Sequence, residues 1–143
     1  MGRTSVALLW AGAIGYASVI FVLSSQPVPA PAEETVALLG DKVLHALEYG
    51  GFSVLLSLAI ATVPSEPIAS RAAGIAFVAA VLYAASDEFH QTLVPGRQGD
   101  VADLAADAVG AFLGAVILQA WRWRADRKEP VSETSPRKPL APP

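Results

Sequence analysis

Apolar residues in this chain fall into four long blocks, at residues 5–23, 41–63, 68–89 and 101–121. The first block holds no charged residue, and each is close to the ~20 residues with which a helix crosses a hydrocarbon core of about 30 Å. The pattern predicts an all-α membrane protein with four transmembrane helices. The first block could instead be a cleaved signal peptide, but it exceeds the ~7–15 apolar residues typical of such peptides, so we expect a retained anchor.

Proline and glycine separate the blocks. Pro27, Pro29 and Pro31 follow the first block, the sequence PSEP follows the second, and a turn with Pro95 and Gly96 precedes the fourth. Because short connections join antiparallel neighbours, we expect one antiparallel four-helix bundle, a single domain at residues 1–124. The charged, proline-rich remainder, 125–143, has no apolar period and is predicted to be disordered.

Composition narrows the class of protein further. Hydrophobic residues make up 53% of the chain and charged residues only 16%, whereas soluble domains carry roughly 25% charged residues. The net charge of −3 gives no support for a nucleic-acid partner, and we expect membrane lipids around the chain instead. The absence of cysteine excludes disulfides, thiolate metal ligands and a cysteine nucleophile.

Basic residues divide unequally between the two sides that four spans define. The side with the two longer loops has Lys42 and Arg97, and the side with both termini has the other eight: Arg3, Arg71, Arg122, Arg124, Arg127, Lys128, Arg137 and Lys138. The positive-inside rule therefore predicts cytoplasmic termini in a multi-pass protein of the inner or plasma membrane.

Polar turns open blocks two and four and close block three, so antiparallel threading brings them together at the outer face. At ~100° per residue, polar residues share one side of each of these helices. These sets are Asp41, His45, Glu48 and Tyr49 on the second helix, Asp87, His90 and Gln91 on the third, and Asp100, Asp103, Asp107, Gly110 and Gly114 on the fourth. The two glycines predict close approach of another helix.

Ionisable groups below headgroup level are costly, so several together indicate a functional site. The acid–base candidates are His45 and His90, with Asp87 and Glu88. Arg97 and Lys42 are candidates to receive an anionic group. The other predicted ligand-binding residues are Asp41, Tyr49, Gln91, Asp103 and Asp107, and Glu48 is favoured as a further member of the site.

Plainer interpretations remain open for part of this set. Asp41, Asp87, Asp100 and Asp103 suit solvated helix ends and N-caps equally well, and Arg97 suits a charged turn or neutralisation of an aspartate. No cofactor is predicted. A divalent metal held by Asp87, His90 and one of Asp103 or Asp107 is a weaker alternative.

Three segments carry a family resemblance: SSQP after the first span, DKVLHALEY opening the second, and DEFHQTLVPGRQGDVADLAADAVGAFLG from the third span into the fourth. Over roughly residues 5–121 the chain resembles the VanZ-like family. The resemblance carries over Ser24, Ser25, Gln26 and Gly110 as signature positions, besides the residues already named, and the position of Asp107 is often asparagine in such proteins. It implies an association with low-level resistance to glycopeptide antibiotics of the teicoplanin type.

Three functions are compatible with these observations. The first is an envelope protein that binds an anionic lipid-linked or cell-wall ligand in an outward-facing pocket. The second is a membrane enzyme that acts on a lipid headgroup or cell-wall precursor through histidine acid–base chemistry. The third is a structural module whose polar residues serve helix association with an unidentified partner protein.

Overall fold

The computed structural model describes residues 2–27 and 38–127. Within them lie four long helices, α1 (Arg3–Ser24), α2 (Leu38–Ile60), α3 (Ala72–Gln91) and α4 (Val101–Asp126), and one helical turn at Glu66–Ala69. All four long helices have the length and apolar composition to cross a membrane. The all-α class and the four spans are therefore confirmed. The predictions for Pro29, Pro31, Lys128 and the tail from residue 128 onward lie outside the described residues.

The helix bounds differ from the predicted blocks by up to five residues, and the two largest differences are at the start of α3 and the end of α4. Pro67 lies in the first turn of the separate segment Glu66–Ala69, where its missing N–H costs nothing, so α3 begins at Ala72 rather than at residue 68. At the other end of the chain, α4 continues to Asp126 and crosses the predicted domain boundary after residue 124. No proline follows Trp121 before Pro130, so nothing in the intervening sequence breaks the helix.

The central helix of the bundle is α2, which packs most extensively on α4 and also contacts α3 and α1. Glycines allow α2 and α4 to approach closely, as their spacing predicted. A Cβ added to Gly110 would overlap the backbone carbonyl of Ala46, and one added to Gly114 would overlap that of Gly50. The two backbones are therefore in direct contact along this seam, which suits association of helices in lipid.

Small side chains also form the packing face of α3. Ala72, Ala76, Ala80 and Ala84 recur every fourth residue and are completely buried, so they lie on one side of the helix. Larger apolar residues point away from the bundle, and Leu47, Leu82 and Ile117 are about two-thirds exposed. Small residues inside and large apolar residues outside are typical of a bundle surrounded by lipid.

An aromatic cluster packs against Ala80 and Ala84 of this alanine face. Tyr49 is buried against Phe52 and Tyr83, with the Phe52 and Tyr83 ring centroids 5.4 Å apart. The Tyr83 hydroxyl donates a hydrogen bond to the carbonyl of Ala17, at 2.7 Å. This bond holds α1, which has few buried residues of its own, against α3.

Candidate functional site

Polar side chains from all four helices meet at one end of the bundle. The last residue of α1, the first turns of α2 and α4 and the last turns of α3 lie there together, as consecutive antiparallel helices require. Between them is a cavity of about 180 Å³. It is lined by Ile20, Leu23, Ser24, Asp41, Leu44, His45, Glu48, Tyr49, Asp87, Gln91 and Arg97.

His45 and Asp107 form a hydrogen-bonded pair across the α2–α4 seam. The His45 Nδ1 lies 3.0 Å from the Asp107 Oδ1, and Asp107 is 1% exposed. Since the carboxylate accepts, Nδ1 carries the proton and Nε2 is left as the second ring nitrogen, 3.8 Å from the Asp103 Oδ1. The pair is close to the point where Gly110 meets α2, so the glycine contact brings the two helices near enough for it to form.

Lys42 is paired with aspartates of α4. Its ammonium group hydrogen-bonds to Asp100, at 2.9 Å, and to Asp103, and it lies 3.6 Å from Asp41. Asp100 is also the N-cap of α4, because its side chain accepts from the backbone N–H of Ala102. The hydrogen bonds from Lys42 and then from Ala102 hold the pKa of Asp100 below its ordinary value.

A second network joins α1 to α3 on the opposite side of the cavity. The Ser24 hydroxyl donates to the Asp87 Oδ1 at 2.6 Å. The Gln91 amide donates to Asp87 and to Glu88, both at 3.3 Å. All three α3 side chains are buried, and Asp87 and Gln91 form part of the cavity wall.

Arg97 lies in the turn before α4 and contacts the C-terminal end of α1. Its Nε donates to the carbonyl of Gln26 at 2.8 Å, its Nη1 to the Gln91 Oε1 at 3.0 Å and its Nη2 to the carbonyl of Leu23 at 3.4 Å. These partners are neutral, and carbonyls at a helix C-terminus favour a cation. A guanidinium has five N–H donors, so donors remain for a further group.

Glu88 is buried but lies outside the cavity lining. One of its carboxylate oxygens accepts from the backbone N–H of Asp100 at 2.7 Å, which orients the turn before α4. Gly99 also packs against the Glu88 backbone, where an added Cβ would lie 2.9 Å from the carbonyl oxygen. The contacts of Glu88 are therefore those of a residue that positions the loop.

His90 does not line the cavity. It stacks on Phe21 of α1, with ring centroids 4.6 Å apart, and its Nε2 lies 3.1 Å from the Ser25 hydroxyl. The sequence analysis placed His90 beside His45 as a second acid–base candidate. The structure separates them, because His90 faces the end of α1 and His45 faces α4.

Two groups of side chains in the described residues have the spacing of metal ligands. They are Asp41, His45 and Asp103, and His45, Glu88 and Asp107. The ligand set considered from the sequence, which combined Asp87 and His90 with an α4 aspartate, is not one of them. In the first group the Lys42 ammonium already occupies Asp103.

Two residues make more contacts in the site than the sequence analysis expected of them. Ser24 was only a signature position of the family resemblance, yet its hydroxyl joins α1 to Asp87. Asp100 was interpreted as an N-cap, which it is, but it also receives Lys42. The feature of the sequence that could have identified Ser24 is its position, because it is a polar residue directly after the uncharged first block.

One of the comparisons with known proteins identifies a family. A family model described as VanZ/LLP1 matches residues 9–122. No curated protein and no solved structure shows a significant match to the chain.

Proposed function

The chain belongs to the VanZ/LLP1 family of multi-pass membrane proteins, and from this premise we propose that it is an envelope protein with a ligand-binding pocket at the outer membrane face. The observation that carries the proposal is one cavity lined by polar side chains from the first three spans and by Arg97 in the turn before the fourth. Polar groups at membrane depth are costly and are retained where they bind or react.

The orientation is part of the proposal. Arg3, Arg71, Arg122 and Arg124 lie at the end of the bundle opposite the cavity, at the start of α1, before α3 and at the end of α4. By the positive-inside rule this end is cytoplasmic. The cavity then opens toward the cell exterior or periplasm, where cell-wall precursors and glycopeptide antibiotics are found.

The proposed ligand is a lipid-linked or cell-wall molecule that carries an anionic group. Drug-sized ligands occupy pockets of about 300–1,000 Å³, so a cavity of about 180 Å³ admits only the polar end of such a molecule. Arg97 would receive the phosphate or carboxylate through its remaining N–H donors, while the rest of the ligand stays in the lipid or in water. Protection against a teicoplanin-type antibiotic would follow from binding or changing this ligand.

The experiment compares cells that express the chain with cells that do not. We expect reduced teicoplanin susceptibility and a changed lipid or muropeptide species in mass spectra of expressing cells. Arg97→Ala removes the proposed anion contact and should abolish both effects, whereas the matched control Arg71→Ala, at the opposite end of the bundle, should retain them. Unchanged susceptibility and unchanged spectra in cells with verified expression would contradict the proposal.

A second candidate, a hydrolase or transferase acting on the same ligand, is favoured by the His45–Asp107 pair. Asp107 holds Nδ1 of the imidazole, and Nε2 of His45, a cavity-lining residue, can then accept a proton from water or a hydroxyl. This is the arrangement in which a carboxylate orients a general base.

The two histidines provide a matched test of catalysis. His45→Ala should eliminate a product seen in the lipid or muropeptide spectra, while His90→Ala, which changes a residue outside the cavity, should leave it. Loss of the product in neither variant or equally in both would exclude His45 as the base. Ligand binding without any new product would favour a binding protein over an enzyme.

A further inference from the structure

The charges around the cavity are unbalanced. Its lining contains three carboxylates, on Asp41, Glu48 and Asp87, against one guanidinium, on Arg97, and one imidazole, on His45. Lys42, the other cation nearby, is held by Asp100 and Asp103 and does not line the cavity. The lining therefore carries more negative than positive groups, and a ligand with only anionic groups would meet this excess unfavourably.

The carboxylates differ in how far their oxygens are already used. Asp87 accepts from Ser24 and from Gln91. By contrast, no side chain in residues 2–27 or 38–127 donates a hydrogen bond to Glu48, and Asp41 has only the longer Lys42 contact of 3.6 Å. Glu48 and Asp41 thus leave acceptor oxygens for a ligand.

The buried hydroxyl of Tyr49 is independent evidence that a ligand group forms a hydrogen bond inside the cavity. Tyr49 lines the cavity and is 1% exposed, and its hydroxyl has no hydrogen-bond partner among the residues that the structure describes. Buried polar groups are nearly always paired, so an unpaired tyrosine hydroxyl at a cavity indicates a position that a bound group fills. The Glu48 carboxylate and this hydroxyl belong to neighbouring residues and both offer acceptors inside the cavity.

We infer that the cavity binds the primary ammonium group of a zwitterionic ligand, with the anionic part of that ligand at Arg97. An ammonium carries three N–H donors, and acceptors on the neighbouring residues Glu48 and Tyr49 are available to them, while Asp41 at the cavity mouth adds negative charge. A quaternary ammonium has no N–H donor and is instead recognised by aromatic cages, so this lining discriminates against it. The inference rests on the proposed function and specifies the chemistry of its ligand.

Two sources can supply such a group, an aminophospholipid headgroup or a free amine. The cavity rim favours access from the bilayer, because Leu23 and Leu44 line it and are 55% and 60% exposed. A lipid can therefore approach with its chains against these leucines and its headgroup in the cavity. The test includes both sources.

The experiment measures binding to the purified full-length protein by native mass spectrometry in detergent. The probes are phosphatidylethanolamine, phosphatidylglycerol, phosphatidylcholine and free ethanolamine. We expect phosphatidylethanolamine to bind at least about tenfold more tightly than the other two lipids, as expected for hydrogen bonds to charged groups. Competition by ethanolamine would show that the amine alone suffices, and its failure to compete would assign the site to the lipid headgroup.

Substitutions of cavity residues test whether the cavity causes the preference for phosphatidylethanolamine. Glu48→Gln should reduce phosphatidylethanolamine binding about tenfold, and Tyr49→Phe should reduce it by a smaller factor. Glu66→Gln, the same change in the exposed turn at the opposite end, should have no effect. Should Glu48→Gln not fold, Asp41→Asn at the partly exposed cavity mouth replaces it, with a smaller expected loss because its charge acts from a greater distance.

Equal binding of the three lipids, a preference for phosphatidylglycerol, or full binding by Glu48→Gln or Asp41→Asn would each overturn the inference. Failure here is distinguishable from failure of the proposed function. If expressing cells still show altered envelope lipids or muropeptides, the pocket has a ligand without an ammonium group. If the amine binds but cells are unchanged, the envelope role is wrong and the binding site remains.

Discussion

His45 and His90 are the two histidines of the chain, and their surroundings differ completely. His45 is hydrogen-bonded to a buried aspartate and lines the cavity, whereas His90 stacks on Phe21 beside Ser25. Both residues lie in polar turns at the same end of the bundle, so their positions along the chain do not distinguish them. The rotation of each helix about its axis decides which histidine faces the cavity.

Asp107 offers a test at the residue scale that separates hydrogen bonding from charge. Asparagine retains an oxygen that can accept from His45 Nδ1, whereas alanine leaves this buried contact unmade. We expect Asp107→Asn to fold with nearly unchanged stability and Asp107→Ala to lose about 1–3 kcal/mol of unfolding free energy. Reversible unfolding of the purified protein in mixed micelles measures both variants, and equal losses would show that the negative charge itself stabilises the fold.

Asp100 provides a pH-dependent prediction. Its pKa in the folded protein is below the ordinary value, chiefly because of the hydrogen bond from Lys42, so its ionised form stabilises the fold at pH values above the ordinary aspartate pKa of about 4. This stabilisation is lost as the pH falls through the lowered pKa. Asparagine keeps an N-cap oxygen but removes the charge.

We therefore expect Asp100→Asn to have a slightly lower Tm than the unchanged protein at pH 7, and the difference to become smaller at a pH below about 4, the ordinary aspartate value. Thermal unfolding in detergent at the two pH values measures it. A Tm difference that persists unchanged in acid would mean that the Lys42 contact is not its source.

At the scale of helices, the α2–α4 seam follows directly from the sequence. Gly110 and Gly114 lie on one stripe with Asp103 and Asp107, and the structure places the backbone of α2 against them. The same contact that packs the helices also brings His45 to Asp107. Packing and the candidate chemistry are therefore coupled at this seam.

Gly110→Ala tests the seam. The added methyl group would overlap the Ala46 carbonyl, and forcing extra volume into a packed interface costs about 1–3 kcal/mol. Gly74→Ala is the matched control, because nothing lies within 4 Å of a Cβ there. We expect a clear decrease in unfolding free energy for the first variant and less than about 0.5 kcal/mol for the second. Similar stabilities for the two variants would contradict the close contact.

For the molecule as a whole, the central feature is that one end of the bundle collects the polar turns and the other collects the basic residues. The chain contains no cysteine, so single cysteines can be introduced and labelled without background. Gln98→Cys lies in the exposed turn near the cavity, and Glu66→Cys lies in the exposed turn at the opposite end.

A membrane-impermeant maleimide added to intact cells should label Gln98→Cys at once and Glu66→Cys only after the membrane is permeabilised. The positive-inside rule is the physical reason. The reverse pattern would place the cavity on the cytoplasmic side and would contradict the envelope role, and labelling of both sites in intact cells would mean that the four helices do not all cross the membrane.

The four helices, the antiparallel neighbours and the glycine seam could be predicted because each depends on local properties of the chain. Length and hydropathy define a span, and a stripe of glycines is visible in the spacing of one helix. The partners of Arg97 could not be predicted. The sequence suggested an anionic ligand or an aspartate as the partner. The structure shows the side-chain amide of Gln91 and the backbone carbonyls of Leu23 and Gln26. Backbone carbonyls have no signature in the sequence.

The amino-acid sequence by itself determined that this is an all-helical, four-span protein with both histidines and most of its acidic residues toward one end. It could do so because the cost of moving apolar and charged groups between water and lipid depends on the order of residues along the chain. Only the tertiary structure decided which of those residues share a cavity. His45, Glu48, Asp87 and Arg97 lie around it while His90 and Glu88 do not, because contact between helices depends on their rotation and separation, which close packing of glycine and alanine sets in three dimensions.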